Sequence, residues 1–136
     1  MRLLFSIVAV LLAGCSSVGD EAARVTSPNG GYDAVVLEDG AGATTSFWYN
    51  VCVVPTTKRC TDRDIYVVLY DAGRNPSAYG VNLRWSDTEH LIVEYDTAKS
   101  VKRLQSDRAP LGAISIELAP GTVDRLAPPG AMIRGN

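Results

Sequence analysis

The stretch Val81-Asn82-Leu83-Arg84-Trp85-Ser86-Asp87-Thr88-Glu89-His90-Leu91-Ile92-Val93-Glu94-Tyr95 decides the fold class. Val81, Leu83 and Trp85 alternate with Asn82 and Arg84, and Leu91, Val93 and Tyr95 alternate with His90, Glu94 and Asp96. A period of two is the mark of a strand with one wet face, because successive side chains point to opposite sides of the sheet. Ser86 to Glu89 has the composition of a four-residue loop, so the whole stretch predicts an antiparallel hairpin.

The same pattern extends in both directions. Ile114, Ile116 and Leu118 repeat the alternation, and Val101 to Gln105 is a weaker strand. Ile65 to Tyr70 is apolar or aromatic on both faces, which predicts a central strand covered on both sides. Tyr32 to Leu37 and Phe47 to Val54 add two more, the second rich in aromatic and β-branched residues. No stretch sustains a helical apolar period. The fold expected is all-β, with one or two antiparallel sheets of about six to eight strands forming a sandwich or an open, barrel-like curl. Ser27-Pro28-Asn29-Gly30-Gly31-Tyr32 and Ser86 to Leu91 both read as a Ser-led turn before a strand, a pattern similar to the repeat of TolB-like propellers. The chain of 136 residues has room for two such units and a propeller needs at least about four blades, so a propeller is excluded.

At the N-terminus a single basic residue, Arg2, precedes Leu3 to Leu12, apolar apart from Ser6, and then small residues. This order is the anatomy of an export signal, and the run falls short of the roughly 20 residues of a spanning helix. It ends in Leu12-Ala13-Gly14-Cys15, followed by Ser16-Ser17. These residues resemble the lipobox of bacterial lipoproteins, which implies a diacylglyceryl group on the Cys15 thiol and cleavage before it. Two or more acyl chains hold a protein stably to a bilayer, at ~0.8 kcal/mol per buried methylene. By the same resemblance, Ser16 in place of Asp after the cysteine favours the outer membrane, facing the periplasm, in a Gram-negative cell.

The expected organisation is a signal helix over 1–14, a flexible tether over 15–23, a β domain over 24–118 and a loosely ordered tail over 119–136, where Pro120-Gly121 and Pro128-Pro129-Gly130 interrupt regular structure. With 46% hydrophobic and 21% charged residues and a net charge of −2, the chain is neither disordered nor a general nucleic-acid binder.

Few residues invite chemistry. Cys52 and Cys60 remain once Cys15 carries lipid, and outside the cytoplasm an even pair predicts a disulfide. Seven residues between them exceed the usual redox spacing, and the single histidine, His90, leaves a zinc site short of ligands. No Gly-x-Ser-x-Gly elbow accompanies His90, so no hydrolase is expected. Asp62 and Asp64 provide too few carboxylates for a calcium loop, and the basic set Lys99, Lys102, Arg103 and Arg108 lacks interleaved aromatics. No catalytic residue, metal or cofactor is implied.

Ser27-Pro28-Asn29-Gly30-Gly31-Tyr32, Ala34 to Glu38 and Gly42-Ala43-Thr44-Thr45-Ser46-Phe47 together resemble a family of small bacterial proteins that often carry a lipobox. Its members read Ser-Pro-Asp-Gly-Lys-Tyr and Gly-Ala-Thr-Thr at similar spacing, and Trp85-Ser86-Asp87 matches a later Trp-x-Asp hairpin. The resemblance spans about Thr26 to Tyr95 and departs at Asn29-Gly30-Gly31 and around Cys52 and Cys60. It implies the β fold and brings no activity.

The function expected is therefore that of a lipid-anchored envelope protein, a non-catalytic binding or structural module whose partner is another envelope protein or a surface polymer. The alternative is an inhibitor or immunity-type protein acting on a lytic enzyme. Binding is expected on two loops, Gly40 to Ser46 and Gly73 to Gly80, with Thr44, Thr45, Trp48, Arg74 and Tyr79 as a patch if the loops share one end of the sheet.

Overall fold

The computed structural model describes residues 18–40, 46–75, 78–104, 112 and 114–123, and of 74–75 and 78–79 the backbone only. The expected signal helix over 1–14, Cys15, Thr44, Thr45 and residues 124–136 lie outside the described residues. The strands are β1 (Asp20–Thr26), β2 (Tyr32–Gly40), β3 (Phe47–Pro55), β4 (Ile65–Tyr70), β5 (Arg74–Asn75), β6 (Ala78–Tyr79), β7 (Asn82–Trp85), β8 (His90–Tyr95), β9 (Ser100–Arg103) and β10 (Ser115–Pro120). A five-stranded sheet runs β1-β2-β3-β4-β9, a three-stranded sheet β10-β8-β7, and β5 and β6 form a short ribbon.

The all-β expectation holds, as a two-sheet sandwich without a closed barrel. All pairs are antiparallel except β8 with β10, which run parallel because β9 crosses to the other sheet between them. At the two seams, side chains bond to backbone in place of a ladder. Trp85 Nε1 donates to the Val25 carbonyl at 2.9 Å, and Arg103 Nη1 to the Ile116 carbonyl at 2.8 Å.

Two expectations need correction. Residues 20–23 belong to β1 and not to a tether; a register shift between Glu21 and Ala23 breaks the alternation that would have marked the strand. Likewise β10 reaches Pro120, past the expected boundary at 118. The strands covered on both faces are β2, in which Asp33 to Glu38 are all buried, and β3, in which Val51 to Val54 are. The strand β4, next to the edge strand β9, is only half-buried at Ile65, Val68 and Tyr70.

The inner face of the large sheet supplies Ala34, Val36, Tyr49, Val51, Val53, Val67 and Leu69, which pack against Val81, Leu83, Leu91 and Val93 of the other layer. Val35, Leu37, Cys52 and Val54 point outward and are buried beneath Val18, Cys60 and Ile65. The segment after β3 therefore folds back over the outer face, and Asp33 holds it there. Its Oδ2 accepts from Arg24 Nη1 at 2.7 Å and from the Thr57 amide at 2.9 Å, while Oδ1 accepts from the Thr26 hydroxyl at 2.7 Å. Thr57 takes a left-handed φ of 71° to present that amide, and Thr56 bonds to Gly30 and Gly31 on the facing turn.

Burial alone would raise the Asp33 carboxyl, but the Thr57 amide, the Thr26 hydroxyl and the Arg24 guanidinium outweigh it and hold the group below the ordinary carboxylate range. A depressed carboxyl stabilises the fold above its unfolded pKa, and that contribution is lost as pH falls through the folded one. The expected result is that Asp33→Ala costs about 3 kcal/mol in denaturant unfolding at neutral pH. The variant's disadvantage should shrink as pH falls below the ordinary carboxylate range and through the folded-state pKa of Asp33, where the native carboxyl also protonates.

Candidate functional site

Register places the two expected binding loops. Gly40 pairs with Phe47 at the tip of the β2–β3 hairpin, and Trp48 pairs with Tyr70 at the end of β4. The chain leaving Tyr70 enters the β5–β6 ribbon directly, and the Asp71 amide bonds to the Phe47 carbonyl at 3.0 Å. The hairpin tip and the 71–80 loop thus emerge at the same end of the large sheet. The Asp96 to Lys99 turn lies there too, because Gly73 bonds to the Thr97 carbonyl and Lys99 to the Tyr70 carbonyl.

Trp48 alternates with Tyr49, so it takes the outer face while Tyr49 enters the core. Tyr49 needs Gly80 opposite: a Cβ there would sit 2.9 Å from the phenol ring, and the glycine φ of +105° disfavours any other residue. Trp48 is 36% exposed and Phe47 37%. The Trp48 and Tyr70 rings lie 4.3 Å apart, tilted by 37°, and Lys99 Nζ stands 5.8 Å from the centre of the Tyr70 ring. Such pairs add about 0.5–1.5 kcal/mol beyond area burial, and a surface cation over a ring about 0.5–1 kcal/mol. Phe47 lies across Gly40, where a Cβ would meet its ring at 2.9 Å.

Of the expected patch, Trp48 is exposed at this end and Arg74 faces Tyr79 in the ribbon register. Phe47, Tyr70 and Lys99 were not among the expected residues. Their sequence signal is the aromatic run Phe47-Trp48-Tyr49 set against Tyr70, which only the β3–β4 register brings together. Beneath them Glu38, the register partner of Tyr49, is 8% exposed, and its Oε2 has no hydrogen-bond partner among the described residues.

Elsewhere His90 Nε2 meets Glu117 Oε2 at 2.8 Å on the surface, and Asp62 to Asp64 form a 3-10 turn capped by Thr61. Among the described residues no group of three or more His, Cys, Asp or Glu is arranged to hold a metal. Cys52 and Cys60 are free thiols in this structure and no bond joins them, Cys52 being buried and Cys60 half-buried against it. The neighbouring Cys60 thiol, then burial, pushes the Cys52 thiol well above the ordinary range. No family model, curated protein or solved structure matches the chain.

The expected result for Trp48→Ala is a stability change within about 1 kcal/mol, since the ring is exposed and contributes chiefly its contact with Tyr70. Gly80→Ala should cost about 2 kcal/mol or more, from the clash with Tyr49 and the unfavourable φ. Equal losses in denaturant unfolding for the two variants would contradict this assignment of surface and core.

Proposed function

We propose that this protein is a lipid-anchored component of the cell envelope whose β domain is a non-catalytic binding module, with the hairpin tip as its binding surface. The observation that carries the reading is the apolar run Leu3 to Leu12 closed by Leu12-Ala13-Gly14-Cys15. Support for a binding role comes from aromatic side chains presented on a rigid sheet end, where loops from separate parts of the chain converge. Mass measurement of membrane-extracted protein should show loss of residues 1–14 and gain of acyl chains at Cys15. Cys15→Ala should abolish both changes, and an unmodified mass in the unsubstituted protein would remove the anchor.

Export carries a consequence for Cys52 and Cys60. A thiol–disulfide oxidant of the envelope takes two electrons and two protons from the pair and joins the sulfurs. The half-buried Cys60 thiol is the one accessible to attack. Alkylation of envelope-derived protein should label neither thiol before reduction and both after it. The bond should raise stability by about 2–3 kcal/mol. Two freely alkylated thiols in that preparation would exclude it.

A further inference from the structure

The described chain begins at Val18, and Asn50 Nδ2 pins it there by donating to the Val18 carbonyl at 3.2 Å. Asp20 pairs with Glu38, so the N-terminal segment joins the sheet at its tip end, beside the β2–β3 hairpin. Gly19 makes that junction rigid. Its φ is +101°, and a Cβ there would lie 2.7 Å from the Glu38 carbonyl oxygen. From Cys15 to Val18 is three residue steps, which span at most about 11 Å when fully extended. Asn50 is two residues from Trp48, roughly 7 Å along the strand. A chain held to a bilayer at Cys15 therefore presents this end of the domain to the lipid.

What this end presents is suited to that contact. Phe47 (37%), Trp48 (36%) and Val123 (49%) are three of the four exposed large hydrophobic residues among the described residues. Val123 belongs here because Thr122 bonds to the Tyr95 carbonyl at the close of β8, next to the Thr97 turn. Trp and Tyr partition into the headgroup region, where an apolar ring and a polar edge are both accommodated. Lys99 can extend its stem past Tyr70 and keep its ammonium in water.

The charges decide the kind of lipid contact. Asp20, Asp39 and Asp71 are exposed at this end, against Lys99 among the described side chains. Asp39 is the register partner of Trp48 itself. The contact is therefore one of aromatic partition and not of attraction to anionic lipid.

We propose that Phe47, Trp48 and Tyr70 dock on the bilayer surface to which the chain is tethered, fixing the domain upright with its opposite end in the aqueous space. This rests on the anchored reading, and names the partner of the tip surface as the lipid headgroup region.

The test uses full-length protein purified from membranes and reconstituted in phosphatidylcholine vesicles with or without brominated acyl chains. Trp48 is one of two tryptophans, so quenching should approach about half of the total emission and vanish in Trp48→Phe. Adding phosphatidylglycerol should leave the quenching unchanged or reduce it. Acylated protein that floats with vesicles while Trp48 stays unquenched overturns the docking and leaves the anchor standing. The same holds if Trp48 is shielded by a second copy or a bound protein. Quenched Trp48 in a chain without acyl mass supports the docking and overturns the lipidation, and a chain that neither floats nor quenches overturns both. Quenching that requires phosphatidylglycerol assigns the contact to the exposed Lys102 and Arg103 on β9, and overturns the proposal.

Discussion

The whole arrangement depends on the register between β2 and β3, which runs unbroken from Tyr32 opposite Pro55 to Gly40 opposite Phe47. Both strands bury side chains on both faces, so a slip of one residue would exchange the two faces along the entire ladder. It would put Tyr49 outside and Trp48 in the core. The ring that packs against Gly80 and the ring that meets Tyr70 are neighbours in sequence, and only the register separates their roles. Nine consecutive pairs with buried β-branched residues on each side make that register costly to change.

The outer face of such a sheet needs cover, and the chain provides it from two directions. The 56–64 segment folds back over one half, held by the Thr57 amide on Asp33, whose carboxylate also takes charge-assisted hydrogen bonds from Arg24 and Thr26 of β1. Val18 covers the other half, tied to Asn50. A buried carboxylate is costly when alone, but Asp33 has its acceptor positions filled from β1 and from the returning loop, so it joins three separate pieces of chain. Cys52 and Cys60 meet beneath that loop because Asp33 sets its path.

Most strands were legible because their alternation is local. β7, β8 and the turn between them follow from Val81 to Tyr95 alone, and β4 was bounded at Ile65 and Tyr70. β1 was not legible: in Asp20 to Thr26 the shift at Glu21/Ala23 puts Ala22 and Ala23 out of period, and two alanines carry little hydrophobic signal. The faces of β4 were misread because an apolar composition does not distinguish a strand buried on both sides from one beside an edge. The tip surface was half legible. The exposed Trp48 follows from alternation, but its partner Tyr70 lies 22 residues on and is brought there by pairing. The expected patch emphasised loop residues, whereas the described aromatic contacts arise from the strand ends that support those loops.

The strand directions also sort the surface into two ends with different chemistry. Chain entering at Val18, the β2–β3 tip, the β5–β6 ribbon and the close of β10 share one end, which carries exposed aromatic rings. The Ser27–Gly31 turn, the 86–89 hairpin loop, the loop carrying Cys60 and the His90–Glu117 pair share the other, which is polar apart from the exposed Leu104 after β9. The exposed rings are the surface at this end that gains from leaving water, whereas the exposed carboxylates of Asp20, Asp39 and Asp71 beside them gain from staying in it. The junction at Gly19 and Asn50 is fixed to the same strands as Trp48, so the point where the N-terminal segment joins the sheet and the aromatic rings move as one body.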